Sequence, residues 1–170
     1  PRLLLRVPRA EDLDEWARMM TDAEAARFIG GVLPRSVTWR GLMTMIGSWH
    51  AMGFAMFSVI EKSSGRWVGR LGPWMPEGWP GPEVGWAISR ECWGRGYATE
   101  GAIASTNWAF DHLGWDRVIH SIDPGNIASQ VVAKKLGSRN LGPGSLPAPF
   151  HESRIDIWGQ SKDEWKRRHS

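Results

Sequence analysis

Of 170 residues only one is cysteine, Cys92, and only one is tyrosine, Tyr97. A lone cysteine excludes an internal disulfide and any zinc site built from paired cysteines, and it fits a reducing cytoplasm. No uninterrupted apolar stretch approaches the roughly 18–20 residues of a membrane span, and the run from Pro1 to Val7 is too short for a signal-peptide core, so we expect a soluble chain with no membrane partner. An excess of one sign of charge is lacking as well: 21 lysines and arginines face 18 acidic residues, a net formal charge of +3. The one dense basic run, Lys166-Arg167-Arg168, reads as a solvated tail, which leaves nucleic acid without a footprint. The five histidines, His50, His112, His120, His151 and His169, show neither HExxH nor HxxxH spacing, and no metal is expected.

What is present suits one globular domain spanning 1–170. Apolar residues make up 42% and charged residues 23%, which is enough to bury a core. Tryptophan is abundant, with twelve copies, two of them, Trp74 and Trp79, in the Gly/Pro-rich loop from Gly72 to Pro82. Core or loop packing is the expected use of these rings, ahead of ligand contact.

Periodicity places the elements. Leu3 to Val7 reads as a strand, and Glu11 and Asp12 bring negative charge to the first turn of a helix with Leu13, Trp16, Ala17 and Met20 on one face. Ser36 is the expected N-cap of a second helix whose buried stripe is Trp39, Leu42, Met43 and Ile46 and whose stop is Gly53. Phe54–Ile60 and Arg66–Leu71 form a hairpin about Lys62-Ser63-Ser64-Gly65. Glu83–Ile88 is a strand, 97–113 a long helix ended by Gly114, Arg117–Ile122 a strand, and Asn126 caps a helix running to Gly137. Arg154–Trp158 is a last strand, and Gly142 to Pro149 is linker-like. The order, β, α, α, three strands, α, β, α, β, describes an α/β fold with a mixed sheet and helices on both faces.

Chemistry concentrates in Trp93-Gly94-Arg95-Gly96-Tyr97-Ala98-Thr99, a glycine loop running into a helix N-terminus. Gly94 and Gly96 permit positive φ, and the orphan first-turn N–H groups with the helix dipole favour an anion such as a diphosphate. A Walker loop is absent. A dinucleotide fingerprint needs glycine or alanine where Thr99 stands, and the loop follows several strands instead of opening the domain, so a nicotinamide-binding fold fits less well.

Three segments in order resemble the GNAT superfamily of acyl-CoA N-acyltransferases, and within it the RimJ/RimL-like branch: Glu83-Val84-Gly85-Trp86-Ala87-Ile88, Trp93 to Glu100, and Asn126-Ile127-Ala128-Ser129 through Lys135-Leu136-Gly137. The resemblance implies a mostly antiparallel sheet of six or seven strands, splayed between its fourth strand (Glu83–Ile88) and its fifth (Arg117–Ile122). It implies acetyl-CoA as cosubstrate, with pantetheine against the backbone of Trp86, Ala87 and Ile88, the diphosphate in the coenzyme loop that opens at Trp93, on N–H groups of Gly94, Arg95, Gly96, Tyr97, Ala98 and Thr99, and Asn126 and Ser129 at the thioester end. It implies an enzyme that moves the acetyl group to a primary amine, on a protein N-terminus or a small molecule, by direct attack, as a monomer or homodimer.

Such an attack needs a base, an oxyanion donor and a hydrogen bond for the leaving thiolate. Glu83 matches the family's base position, acting directly or through water, and His120 is the rival. Relatives often supply a tyrosine to the thiolate, where this chain offers Ser129. Glu91 stands before the loop where the family favours Gln or Arg, and it needs a cation such as Arg90 or Arg95, or an outward rotamer. A covalent route through Cys92 ranks low because no histidine adjoins it in sequence. A catalytically silent acyl-CoA-binding module is the alternative reading of the same motifs.

Overall fold

The computed structural model describes residues 1–169, of which His169 contributes backbone only. Seven strands form a sheet of order β1-β2-β3-β4-β5-β7-β6: β1 (Leu3–Arg6), β2 (Phe57–Glu61), β3 (Trp67–Trp74), β4 (Glu83–Ile88), β5 (Arg117–Ile122), β6 (Arg139–Gly144) and β7 (Ile155–Ser161). The pairs β1–β2, β2–β3, β5–β7 and β6–β7 are antiparallel and β4–β5 is parallel. The helices are α1 (Leu13–Thr21), α2 (Ala23–Ala26), α3 (Arg35–Met52), α4 (Tyr97–His112), α5 (Ile127–Leu136) and α6 (Lys162–His169). Among the described residues no helix is long and apolar enough to cross a membrane.

The chain divides into two compact units. The first comprises Pro1–Gly72 and Trp86–Gly101. Its core joins Leu3, Val59, Val68, Leu71, Ile88, Cys92 and Tyr97. Asp12, with Glu11 in the first turn of the 3-10 segment (Ala10–Asp12) that leads into α1 as expected, is also buried in a tie between β1 and β2. Arg6 contacts its two oxygens at 2.8 and 2.5 Å, Ser58 Oγ donates at 2.7 Å and the Arg9 N–H at 2.9 Å. Burial opposes the charge, yet these donors outweigh it and hold the Asp12 carboxyl below its usual range. In α3 the N-cap is Pro34, not Ser36, which lies inside the first turn. Fixed at an extended ψ of 152°, Pro34 enters the helix through its backbone. The buried stripe of α3 is Thr38, Leu42 and Met45, so Trp39, expected inside, is 48% exposed. Thr38 replaces it because its hydroxyl donates to the Pro34 carbonyl at 3.3 Å and carries no unpaired polar group into the core.

The second unit comprises Pro73–Gly85 and the chain from Ala102 on. Here β5 and β7 pair from Arg117↔Ser161 to Ile122↔Asp156. The expected final strand thus runs on to Ser161. The segment read as a linker begins in β6, paired to β7 from Arg139↔Gly159 to Gly144↔Ile155. The expected basic tail, Lys166 to Arg168, is part of α6, which Trp165 pins down: its indole donates to Asn107 Oδ1 at 2.7 Å and meets Phe110 edge-on at 6.2 Å.

Candidate active site

The glycine loop lies in the first unit. After β4 the chain makes a short 3-10 turn (Arg90–Cys92), then Gly94 at φ 75° and Gly96 at φ 80° take the left-handed conformation expected of them. Glu100 N–H donates to the Gly96 carbonyl at 3.0 Å and starts α4. A helix beginning there has no internal carbonyl for its first N–H groups, those of Tyr97, Ala98 and Thr99. A Cβ added at Gly94 meets nothing within 4 Å, whereas at Gly101, one turn into α4, it lies 2.3 Å from Leu71 Cδ2. Gly101 therefore sets how closely the helix start lies on β3, a role that the sequence pattern did not single out.

Side chains hold the loop from behind. Arg2 donates from Nη1 to the Arg95 carbonyl at 2.9 Å and from Nε to Glu100 Oε2 at 2.8 Å, with its guanidinium 4.8 Å above the Tyr97 ring. The buried Tyr97 hydroxyl donates to Glu61, and Arg95 Nη1 lies 3.5 Å from the same carboxylate. Hydrogen bonding to Glu61, reinforced by burial, raises the Tyr97 pKa, so this phenol is a structural anchor. Glu91 is paired with neither candidate cation. It faces Arg18 at 3.9 Å, and Arg90 turns to Asp22 at 2.7 Å. Cys92 is buried and its thiol is pushed up, by burial first and then by Glu91, which is the opposite of an activated nucleophile. Trp93, half exposed, donates its indole N–H to the Ile88 carbonyl at 2.7 Å.

The second unit holds the candidate base. β4 pairs with β5 at Glu83↔Ile119, where Ile119 N–H donates to the Pro82 carbonyl at 2.9 Å. One step along, the Val84 carbonyl accepts at 2.7 Å from His120 Nδ1. A continuing parallel ladder brings the Ser121 N–H to that carbonyl. The imidazole takes its place, which is where the expected splay begins. His120 Nε2 accepts from Ser138 Oγ at 2.9 Å, and Gln160 Nε2 donates to the same hydroxyl at 2.9 Å. Only 1% exposed, His120 has its pKa lowered by burial to about 4. It is a neutral core histidine with both ring nitrogens engaged, and it is eliminated as the rival base.

Glu83 points to the other face of the sheet. It is buried, and its Oε2 accepts two hydrogen bonds, from Trp79 Nε1 and from Ser121 Oγ, each at 2.7 Å. Neither partner was foreseen, because Ser121 lies 38 residues away in sequence and Trp79 sits in a loop. Asn126 caps α5 as expected, its Oδ1 accepting from the Ser129 N–H at 3.1 Å, and this bond fixes Ser129 in the first turn.

The sequence profile of the acetyltransferase (GNAT) domain matches residues 2–139. The chain is 27% identical over 144 residues to an uncharacterized N-acetyltransferase, p20, of Bacillus licheniformis, covering 83% of this chain and 81% of that one. The fold superposes on an acetyltransferase from Agrobacterium tumefaciens with a TM-score of 0.82 at 25% identity, over 95% of this chain and 91% of that one. It also superposes on a spermidine N-acetyltransferase from Vibrio cholerae, solved with CoA and spermine, with a TM-score of 0.78 at 12% identity, over 97% and 98%. A glycine loop opening α4, a strand pair that parts after one parallel step and a profile match over most of the length agree: the chain belongs to the GNAT acetyltransferase family and is an acyltransferase.

Proposed function

We propose that this enzyme transfers the acetyl group of acetyl-CoA to a primary amine, on a protein N-terminus or a small molecule, as a RimJ/RimL-like cytoplasmic N-acetyltransferase with residues 1–170 acting as one domain. The observation that carries the reading is the pair of left-handed glycines, Gly94 and Gly96, opening α4. They offer the N–H groups from Gly94 to Thr99 to a diphosphate at the positive end of a helix dipole, while the Trp93 N–H closes the preceding turn on the Arg90 carbonyl at 3.1 Å. Pantetheine lies along Trp86, Ala87 and Ile88 and takes the Ile88 carbonyl from the Trp93 indole. Asn126 and Ser129 face the thioester end.

The neutral amine attacks the thioester carbonyl carbon. Its surplus proton passes to the Glu83 carboxylate, directly or through water, as the C–N bond forms. The C–S bond then breaks, and the departing thiolate takes a hydrogen bond from Ser129 and its proton through water, since a serine hydroxyl is a weak acid; Glu83 returns the amine's proton to that water and is restored as a carboxylate. Tyr97, tied to Glu61, takes no part in that step.

Thermal-shift measurements with acetyl-CoA, CoA, NAD and ATP test the coenzyme, because a ligand at 100 times its Kd adds about 2.7 kcal/mol of stability. Stabilisation by the first two alone is expected. Thiol release is then followed across polyamines, aminoglycosides and peptides with free N-termini, and an acceptor-dependent signal abolished by Glu83→Gln is expected. Binding of CoA with no release for any amine would instead establish a silent acyl-CoA sensor.

A further inference from the structure

We propose that Trp79 is a positioning residue for the Glu83 base, holding its carboxylate from the β3–β4 loop and tying its orientation to the loop between β6 and β7. The inference rests on Glu83 being the base. A carboxylate oxygen offers two lone pairs. On Oε2 both are met, by the Trp79 indole and by the Ser121 hydroxyl. The terminal torsion of a free glutamate is broad, and two donors converging on one oxygen narrow it and so set how the carboxylate is presented.

The two donors differ in what carries them. Ser121 belongs to β5, in the interior of the sheet. Trp79 belongs to a loop, and that loop is braced. Trp79 N–H closes a turn on the Pro76 carbonyl at 3.1 Å, and the indole meets the Phe150 ring edge-on at 6.4 Å and 87°. A Cβ at Gly78 lies 3.4 Å from Pro147 Cβ, and Phe150 N–H in turn donates to the Pro147 carbonyl at 2.9 Å. Residues 76–79 and 147–150 thus support each other beside the carboxylate. Displacing Phe150, which is 39% exposed, displaces the indole and with it the hydrogen bond that holds the base.

The test reads the Glu83 carboxyl directly and needs no acceptor. In protein labelled with 13C at glutamate side-chain carboxyls, the Glu83 resonance is the one missing from Glu83→Gln, and its titration midpoint is compared across variants. Trp79→Phe keeps the ring against Phe150 and removes only the N–H. Losing a donor to the ionised form raises the midpoint, here by about 0.5–1.5 pH units after partial replacement by water. Ser121→Ala moves it the same way, and Phe150→Leu by less. A midpoint within about 0.2 units of the parent in folded Trp79→Phe overturns the proposal, since a merely structural tryptophan would lower stability and leave the carboxyl alone. Should Trp79→Phe fail to fold, the parent decides. The indole 15N–H peak in Overhauser contact with Phe150 must titrate with the Glu83 midpoint and move in Glu83→Gln, and a peak that does neither overturns the proposal. Acetyl transfer surviving Glu83→Gln with these shifts intact would sink the base assignment and not the hydrogen bond.

Discussion

Replacing His120 by glutamine is expected to remove most of the loss of stability that the protein shows between pH 7 and pH 5. Folding lowers the His120 pKa from 6.5 to about 4 through burial, against the hydrogen bond to Val84. The folded state therefore binds this proton less readily than the unfolded chain does. The resulting stability is fully present above pH 6.5 and drains away as pH falls toward 4. A displacement of about 2.5 units corresponds to roughly 3 kcal/mol in all, of which about 2 kcal/mol is lost between pH 7 and pH 5. No solvent discount applies, because the ring is 1% exposed. Urea unfolding of the parent and of His120→Gln at both pH values isolates the effect, since Asp12 and the other carboxylates titrate alike in the two proteins. The variant is less stable at pH 7, but its change on acidification should be smaller by about 2 kcal/mol. Equal changes in the two proteins would refute a neutral buried imidazole and reopen His120 as a base.

Four further outcomes follow from the loop. Gly101→Ala places a methyl 2.3 Å from Cδ2 of the fully buried Leu71; overpacking outweighs the gain in helix propensity, and Tm falls by about 2–6 °C in a melting experiment. Gly96→Glu forces a side chain onto a φ of 80° and sets a carboxylate at the diphosphate position; acetyl-CoA should no longer raise Tm. Trp93→Phe removes the indole N–H that holds the Ile88 carbonyl; calorimetry should find CoA bound about 2–10 times more tightly, the equivalent of one neutral hydrogen bond. Cys92, buried and with a raised pKa, should react with iodoacetamide at pH 7.5 at least about tenfold more slowly than it does in urea.

The parts of the fold that were legible in the sequence are those where local chemistry alone selects the conformation. β4 and β5 occupy the expected residues because runs such as Val84-Gly85-Trp86-Ala87-Ile88 are bounded by turn chemistry on both sides. Gly53 and Gly137 end α3 and α5 in the left-handed conformation, and Gly114 follows α4 with a φ of 67°. β6 was illegible because Gly142, Pro143 and Gly144 have the composition of a loop. Its strand character comes from β7, whose Ile157 side chain lies 2.5 Å from where a Cβ at Gly144 would sit, so the small residue lets the two approach. α6 was hidden for a related reason: among its described residues the one buried side chain is Trp165, and one apolar residue among lysines and arginines carries no period. The error in α3 was one of phase, since Trp39 outweighs Thr38 in any hydrophobic count although Thr38 is the residue with a partner for its hydroxyl.

The candidate site divides along the same line. The loop from Trp93 to Thr99 was readable because two positions there demand glycine for a backbone reason that does not depend on the rest of the molecule. What surrounds the loop is assembled from a distance: Arg2 reaches Glu100 across 98 residues and Tyr97 reaches Glu61 across 36. The same holds for Glu83, which shares its strand-end position with many ordinary glutamates. Ser121 is brought to it by the β4–β5 pairing and Trp79 by a turn whose register is fixed at Pro76. Neither a tryptophan in a Gly/Pro loop nor a serine in a strand announces such a role, because each is common in its setting. Only their convergence on one oxygen separates this carboxylate from a solvated strand end, and convergence is a property of the folded chain.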